Sequence, residues 1–185
     1  MIEIRNVTLD DLDALHEINR AVSSNPNKTP EQWQLAYYKY VDYYPLCEPE
    51  NSFVITDDGR PFGYILCSSN FDHFLTGMEQ HFKQSMNQLE SGSFESFIAN
   101  QAFLETFKKD YPAHLHIDVL PEYQNVHAGS KLMNHLLEHL KANNVSGICL
   151  GVSATRPQAI HFYTKNHFEI LHEDVFGYIM GQKLN

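Results

Sequence analysis

Residues 113–142 read AHLHIDVLPEYQNVHAGSKLMNHLLEHLKA, and this stretch decides the fold. Leu115, Ile117 and Val119 alternate with polar residues, which predicts a β-strand with one apolar face. A polar turn follows, and leucines at helical spacing then predict a helix that ends near residue 143. The first amide groups of a helix lack intrahelical acceptors and bind phosphate groups. The stretch therefore predicts a phosphate-binding turn between a strand and a helix.

The polar face of the predicted strand carries His114, His116 and Asp118. Aspartate and histidine are frequent general bases. Asp118 is the first candidate because it lies nearest the turn, and His116 is the second, whereas His114 is expected at the strand edge. The alternative for Asp118 is a structural carboxylate that accepts backbone hydrogen bonds or pairs with a basic side chain.

The composition suits a single domain that spans residues 1–185. The chain has 43% hydrophobic residues, enough to bury a core. It has no apolar run of the ~20 residues that a membrane span needs, and its first residues are too acidic for a secretory signal. Cys47, Cys67 and Cys149 lie far apart, which favours reduced thiols. These features predict a cytoplasmic protein with no membrane association.

The formal net charge is −10, from 13 Lys and Arg residues against 23 Asp and Glu. Nucleic-acid binding needs a basic surface, so no nucleic-acid partner is expected. The negative charge mildly favours a cationic partner such as an amine. An anionic cofactor is still compatible with this charge, because backbone amides at a helix start can hold its phosphates.

The hydrophobic patterns predict a mixed α/β protein whose central sheet is flanked by helices. The predicted order is a strand, two helices, a hairpin, an insertion, then strand, helix, strand, helix and two closing strands. The second helix is expected over residues 30–44. Residues 70–112 carry two apolar stripes separated at 91–93, which predicts two helices inserted between strands 3 and 4. This insertion has two interpretations: a lid or wall over a bound acceptor, or the interface of a homodimer.

Two segments resemble the GNAT superfamily of acetyl-CoA-dependent N-acetyltransferases. Residues 124–129, QNVHAG, are similar to the family's Arg/Gln-x-x-Gly-x-Gly/Ala turn. Residues 159–168, AIHFYTKNHF, are similar to its A-x-x-F-Y-x-K-x-G-F helix and strand. The predicted order of elements also matches, apart from the insertion. Within the superfamily, HLHIDVLPEYQ at 114–124 is similar to the acetyltransferase-like domain attached to O-GlcNAc hydrolases.

The resemblance implies a GNAT fold and direct transfer of the acetyl group of acetyl-CoA to an amine. The acceptor is left open between small molecules, such as a polyamine, an amino sugar or an antibiotic, and a protein N-terminus or lysine. Tyr163 matches the family's general acid toward the CoA sulfur, with Asp118 or His116 as the base. Strand amides around Val119 are expected to polarise the thioester carbonyl. The expected cofactor-binding residues are Val119, Leu120, Gln124, Asn125, Val126, His127, Ala128, Gly129, Ser130 and Arg156.

Three positions depart from the family pattern. His127 stands where the turn has glycine, and His167 stands where a glycine precedes Phe168. Glycine there allows positive φ or close backbone approach, so His127 either keeps the turn with a negative φ or crowds the pyrophosphate. Arg156 replaces a common Asn and is interpreted as reaching a CoA phosphate or a substrate carboxylate. These departures leave an alternative function open, a non-catalytic module that binds CoA or another ligand. In this alternative, Tyr163 is a packed residue of the helix.

A different motif lies in the same predicted helix. Residues 135–139, HLLEH, fit the H-x-x-E-H pattern of inverted zinc peptidases. The neighbouring leucines define the buried side, and this places His135 on the outer flank and His139 at the margin. The second half of the helix also lies far from the phosphate turn. No metal site is therefore expected.

Overall fold

Seven β-strands form one mixed sheet in the computed structural model, which describes residues 1–184 except for the side chains of residues 124–126. The strands are β1 (Ile2–Asn6), β2 (Phe53–Asp57), β3 (Arg60–Ser68), β4 (Ala113–Val119), β5 (Gly147–Ser153), β6 (Glu169–Glu173) and β7 (Gly177–Lys183). They lie in the order β1-β2-β3-β4-β5-β7-β6. Neighbours are antiparallel, except that β4 and β5 are parallel.

Helices cover both faces of the sheet. They are α1 (Leu12–Val22), α2 (Pro30–Tyr40), α3 (Tyr43–Cys47), α4 (Phe71–His81), α5 (Lys83–Leu89), α6 (Ser93–Asn100), α7 (Ala102–Phe107), α8 (Ala128–Ala142) and α9 (Pro157–Lys165). Short 3-10 turns occupy Leu9–Asp11, Pro49–Asn51 and Pro121–Val126. In the part of the chain that the structure describes, no helix is both long enough and apolar enough to cross a membrane. The predicted mixed sheet, flanked by helices and with a helical insertion before β4, is confirmed.

Two buried clusters hold the helices on the sheet. On one face, α8 buries Leu132, Met133, Leu136 and Leu140 against strand residues such as Ile65. On the other face, α1, α2, α3 and the inserted helices pack aromatic and sulfur-containing side chains. The largest of these are Tyr43, Tyr44, Phe74, Met78 and Met86. The aromatic stripes of the sequence therefore lie mainly in this second cluster.

The helix predicted over residues 30–44 is broken in the structure. α2 ends at Tyr40, Val41 adopts φ −129° and ψ −60°, and α3 begins at Tyr43. The change of direction buries the rings of both Tyr43 and Tyr44. The hydroxyl of Tyr43 also donates a 2.7 Å hydrogen bond to the buried carboxylate of Glu48. Tertiary packing therefore overrides local helical periodicity here.

The insertion contains four helices, α4 to α7, where the apolar stripes predict two. The chain leaves helical geometry at Phe82, with φ −122°, and at Gln101, with φ −93° and ψ 8°. The Phe82 ring is buried and lies 5.4 Å from the ring of Tyr38. Gly92 precedes α6 in the left-handed region, with φ 78°. These breaks fold the insertion back on itself against α2.

The parallel pair β4–β5 is the place where the sheet opens. The β4 strand pairs with β3 over its length to Val119, and β5 pairs with β7 as far as Ser153. Between β4 and β5, however, the paired residues are Ala113 with Ile148 and His114 with Cys149. The two strands diverge beyond these residues. The divergence leaves a gap in the sheet at their carboxyl ends.

Both histidines that replace glycine have left-handed backbone conformations. His127 has φ 57° and His167 has φ 68°, which excludes the first of the two alternatives for His127, a turn kept with a negative φ. His167 ends α9 in a Schellman arrangement: its amide donates to the carbonyl of Thr164, and the next amide, of Phe168, donates to that of Tyr163. These hydrogen bonds fix the left-handed backbone whatever the side chain.

We expect His167→Gly to raise the free energy of unfolding by about 1 kcal/mol, because a left-handed backbone strains a residue that has a Cβ atom. The His167 side chain is exposed, so little packing is lost with it. Urea unfolding followed by circular dichroism measures the change. His167→Ala is the control that removes the ring and keeps the Cβ, and it should give no such gain. A destabilised glycine variant would contradict the strain argument.

Candidate active site

A cavity of about 340 Å³ lies where β4 and β5 diverge. The polar face of β4 forms its floor, with His116 and Asp118. Tyr163 of α9 and Arg156, which precedes α9, line it from the β5 side. Asn19 of α1 and Tyr40 of α2 line the opposite side, and Gln101, Phe103 and Leu104 of the insertion complete the wall. The structure thus brings together the residues predicted as catalytic and adds a wall that the insertion supplies.

Asp118 is held by hydrogen bonds that reach across β3 to α1. Tyr64 lies opposite Asp118 in the β3–β4 register, and its hydroxyl donates to Oδ2 of Asp118. Nδ2 of Asn19 in turn donates to the Tyr64 hydroxyl over 3.3 Å. Tyr64 is fully buried, so this arrangement fixes the carboxylate at the cavity floor. Sequence analysis missed both partners, because the register that pairs Tyr64 with Asp118 has no signature in the local pattern.

Burial raises the pKa of Asp118 to about 6, against an ordinary value of 3.8. The hydrogen bond from Tyr64 and the positive charge of Arg156 lower the pKa and so oppose this effect. The carboxylate is therefore ionised at neutral pH but binds a proton more readily than a surface aspartate. A pKa near the working pH is the property that a general base needs.

Tyr163 lies in the same cavity and keeps its proton. Burial and the nearby charge of Asp118 raise the pKa of its phenol, and Arg156 only partly offsets this. The ring is held in place, with its centroid 5.4 Å from that of Phe162 and 5.6 Å from that of Phe168. A protonated phenol at a fixed position is a suitable general acid.

The two histidines of β4 are neutral. Burial lowers the pKa of His116 to about 4 and that of His114 to about 3. His114 is buried, contrary to the expected place at the strand edge, and its Nε2 shares a 3.2 Å hydrogen bond with the Tyr44 hydroxyl. The ring of Tyr40 meets that of His116 edge-on at 5.4 Å. His116 is thus in the cavity as predicted, but it is a weaker base than Asp118.

The predicted phosphate turn lies at the start of α8. The amide of Lys131 donates a 3.0 Å hydrogen bond to the carbonyl of His127, and this bond closes the first turn of α8. The amides of Ala128, Gly129 and Ser130 precede this bond, and such amides can hold phosphate oxygens. The side chains of Gln124, Asn125 and Val126 lie outside the described residues, so their predicted roles have no structural test here.

The turn and the cavity are neighbours. A Cβ atom on Gly129 would lie 3.2 Å from the ring of Phe162, the residue before Tyr163 in α9. The start of α8 is therefore packed directly on the helix that carries the predicted general acid. The opening between the strands and the adjoining helix start fit a long donor that has a phosphate part and a reactive end.

One predicted donor to the thioester carbonyl is already engaged. The amide of Leu120 donates to the carbonyl of Phe62 over 2.9 Å and so already has an acceptor within the sheet. The assignment of Leu120 to the cofactor site stays a prediction. Val119 lies opposite Gly63 in the β3–β4 register. The assignment of Val119 stays a prediction.

The H-x-x-E-H histidines have structural contacts. The ring of His135 meets Phe53 at 4.5 Å, and Nε2 of His139 donates to Oδ1 of Asn51 over 3.0 Å. Among the described residues, no three His, Cys, Asp or Glu side chains form a group that could hold a metal ion. Both histidines thus fasten α8 to the sheet face away from the cavity.

Fold and site together define an acyltransferase-like architecture. Residues 12–168 match the acetyltransferase (GNAT) family, and the chain belongs to this family. The narrower resemblance to the domain attached to O-GlcNAc hydrolases stays a prediction.

Solved structures show the same fold over whole chains. The chain is similar to the protein called SsHAT, with a TM-score of 0.87, 21% identity, and 100% of this chain and 98% of that chain covered. It is also similar to the PaiA N-acetyltransferase of Thermoplasma acidophilum, solved with coenzyme A, with a TM-score of 0.63, 16% identity and 99% of each chain covered. The ribosomal-protein alanine N-acetyltransferase of Escherichia coli gives a TM-score of 0.61, 16% identity, and 100% and 95% coverage.

We expect Tyr64→Phe to raise the pKa of Asp118 above 6, because the hydrogen bond from Tyr64 favours the ionised carboxylate. The carboxyl ¹³C resonance of labelled aspartate, followed against pH, measures this pKa, and Asp118→Asn identifies the signal. Tyr44→Phe is the matched control, since Tyr44 contacts His114. If Tyr64→Phe leaves the pKa of Asp118 unchanged, this account of the site is contradicted.

Proposed function

We propose that this protein is an N-acetyltransferase that moves the acetyl group of acetyl-CoA to a primary amine by direct transfer. The observation that carries the proposal is one cavity that holds both an aspartate with a pKa of about 6 and a protonated tyrosine. Membership of the GNAT family supports the reaction class. The coenzyme A complex of the Thermoplasma acidophilum protein supports the donor.

The start of α8 and the strand opening are the proposed donor site. Amides of Ala128, Gly129 and Ser130 hold the pyrophosphate, and His127 keeps the turn in its left-handed conformation. The donor supplies a thioester whose C–S bond breaks as the new C–N bond forms. Arg156, at the cavity rim, is placed to pair with an anionic group of either substrate.

Asp118 and Tyr163 divide the proton transfers. An amine enters as an ammonium ion, and the Asp118 carboxylate attracts it and accepts the proton that must leave before attack. Tyr163 holds the proton that the departing sulfur needs, since an alkyl thiolate is more basic than water.

The acceptor is a primary amine of a small molecule or of a protein. Structural neighbours of both kinds exist. One is an agmatine N-acetyltransferase, similar with a TM-score of 0.64 and 11% identity, and another is the ribosomal-protein alanine N-acetyltransferase. Sequence identities this low show a shared fold alone, and the acceptor depends on the residues that line the cavity of this protein.

The first test is binding of acetyl-CoA by isothermal titration calorimetry. We expect a 1:1 complex with a dissociation constant in the micromolar range that GNAT-type turnover requires. Gly129→Val is the disruptive variant, since its added side chain meets the Phe162 ring. Absence of binding at millimolar acetyl-CoA would overturn the proposal. If His127→Gly then restored binding, the chain would be a non-catalytic module whose imidazole blocks the turn.

The second test is the pH dependence of kcat/KM for any accepted amine, measured by thiol release. The base must be unprotonated, so we expect kcat/KM to rise with pH and to reach half its maximum near pH 6, the pKa of Asp118. Asp118→Asn should lower kcat about 10²- to 10⁴-fold and remove this acid limb. Tyr163→Phe should lower kcat about 10²-fold and keep the limb. Unchanged rates in both variants would refute the residue assignment.

A further inference from the structure

The charges that line the cavity are few. Among the described residues that line the cavity, Asp118 is the only carboxylate and Arg156 is the only permanent cation. The imidazoles of His114 and His116 are neutral because burial lowers the pKa of each. The cavity therefore offers a countercharge for one ammonium group and for no second one.

The aromatic rings of Tyr40 and Phe103 form part of the cavity wall. Tyr40 lines the cavity and stands edge-on to His116 at 5.4 Å. Phe103 of α7 lies over β5, where a Cβ atom on Gly151 would be 3.4 Å from Cζ of its ring. The missing Cβ atom of Gly151 lets the Phe103 ring pack directly on the backbone of β5. Rings of this kind pack edge-on or offset against a flat ligand ring.

The insertion supplies this part of the wall. Gln101 and Phe103 reach the cavity from the junction of α6 and α7, and Leu104 is buried behind them. The ends of the insertion are fixed to each other, because Nζ of Lys108 pairs with Asp72 of α4 at 2.7 Å. The insertion therefore forms part of the cavity wall. This favours the interpretation of the insertion as a lid or wall over a bound acceptor.

We propose that the acceptor is a small primary monoamine whose remaining part is uncharged and aromatic. This inference rests on the proposed function, since it names the substrate class of the same site. The ammonium group pairs with Asp118, and the ring lies against Tyr40 and Phe103. A polyamine would bury its second ammonium group among rings and neutral imidazoles, without a countercharge, and desolvation of such a group is unfavourable.

Three amines of similar size test the proposal. The first is 2-phenylethylamine, the second is 1-hexylamine, and the third is 1,5-diaminopentane, which replaces the terminal methyl of hexylamine with an ammonium group. We expect kcat/KM to fall in this order, with at least a roughly tenfold difference between hexylamine and the diamine, equivalent to about 1.4 kcal/mol. A diamine that is used as well as hexylamine, or better, overturns the proposal.

Two substitutions test the wall directly. Gln101→Glu adds a second carboxylate with almost no change of shape, and we expect it to raise the diamine-to-hexylamine ratio of kcat/KM roughly tenfold. Gln88→Glu, on α5 and remote from the cavity, is the matched control and should leave the ratio as it is. Phe103→Ala should lower kcat/KM for phenylethylamine roughly tenfold, and Phe103→Leu should lower it less. The proposed wall would be overturned if Gln101→Glu left the diamine-to-hexylamine ratio unchanged and Phe103→Ala left kcat/KM for phenylethylamine unchanged.

A binding measurement separates this inference from the reaction itself. Saturation-transfer NMR reports the binding of each amine to the protein without acetyl-CoA. If no amine is acetylated, the proposed function fails, and the binding order still decides the acceptor class. If amines are acetylated but the diamine binds and reacts best, the acceptor class is wrong and the acetyltransferase proposal stands.

Discussion

The loss of hydrogen bonding between β4 and β5 is the constraint on which the rest of the site depends. Parallel strands that stay paired would fill the space beside β4 with the backbone of β5. Because the strands diverge after His114 and Cys149, the side chains of His116 and Asp118 lie in an opening within the sheet. The ladders of β3 with β4 and of β5 with β7 continue on either side and keep the two edges rigid. A gap framed in this way is a fixed cavity.

Burial sets the chemistry of this cavity. Removing Asp118 from water raises its pKa to about 6, and the same low-polarity surroundings raise the pKa of Tyr163. One environment therefore makes the Asp118 carboxylate a stronger base and keeps the Tyr163 phenol protonated. Tyr64 restrains the effect, because its hydrogen bond favours the ionised carboxylate. Without such a donor, Asp118 would be protonated over more of the neutral pH range and would be less able to accept a proton.

Local patterns in the sequence were enough to predict the strand, the turn and the helix at residues 113–142. The alternation at Leu115, Ile117 and Val119 and the spacing of the leucines report directly on which face is buried. They could not predict that Tyr64 donates to Asp118, because strand register joins residues 54 positions apart. They also missed the break at Phe82, whose ring is buried, and the break at Gln101. The family motif located Tyr163, but the wall that Phe103 forms lies in a segment outside the motif.

The two histidines at glycine positions separate backbone geometry from residue identity. Glycine is favoured at such positions because it has no Cβ, yet His127 and His167 adopt φ 57° and φ 68°. At His167 the hydrogen bonds of the helix end impose this conformation, and the strain of about 1 kcal/mol is small beside the packing of Phe168. At His127 the backbone of the turn is likewise kept, so the glycine is not needed to form it. What the substitution adds is an exposed imidazole at the start of α8. In the proposed donor site, His127 therefore acts through the space that its ring occupies, because its backbone already has the left-handed conformation that glycine favours.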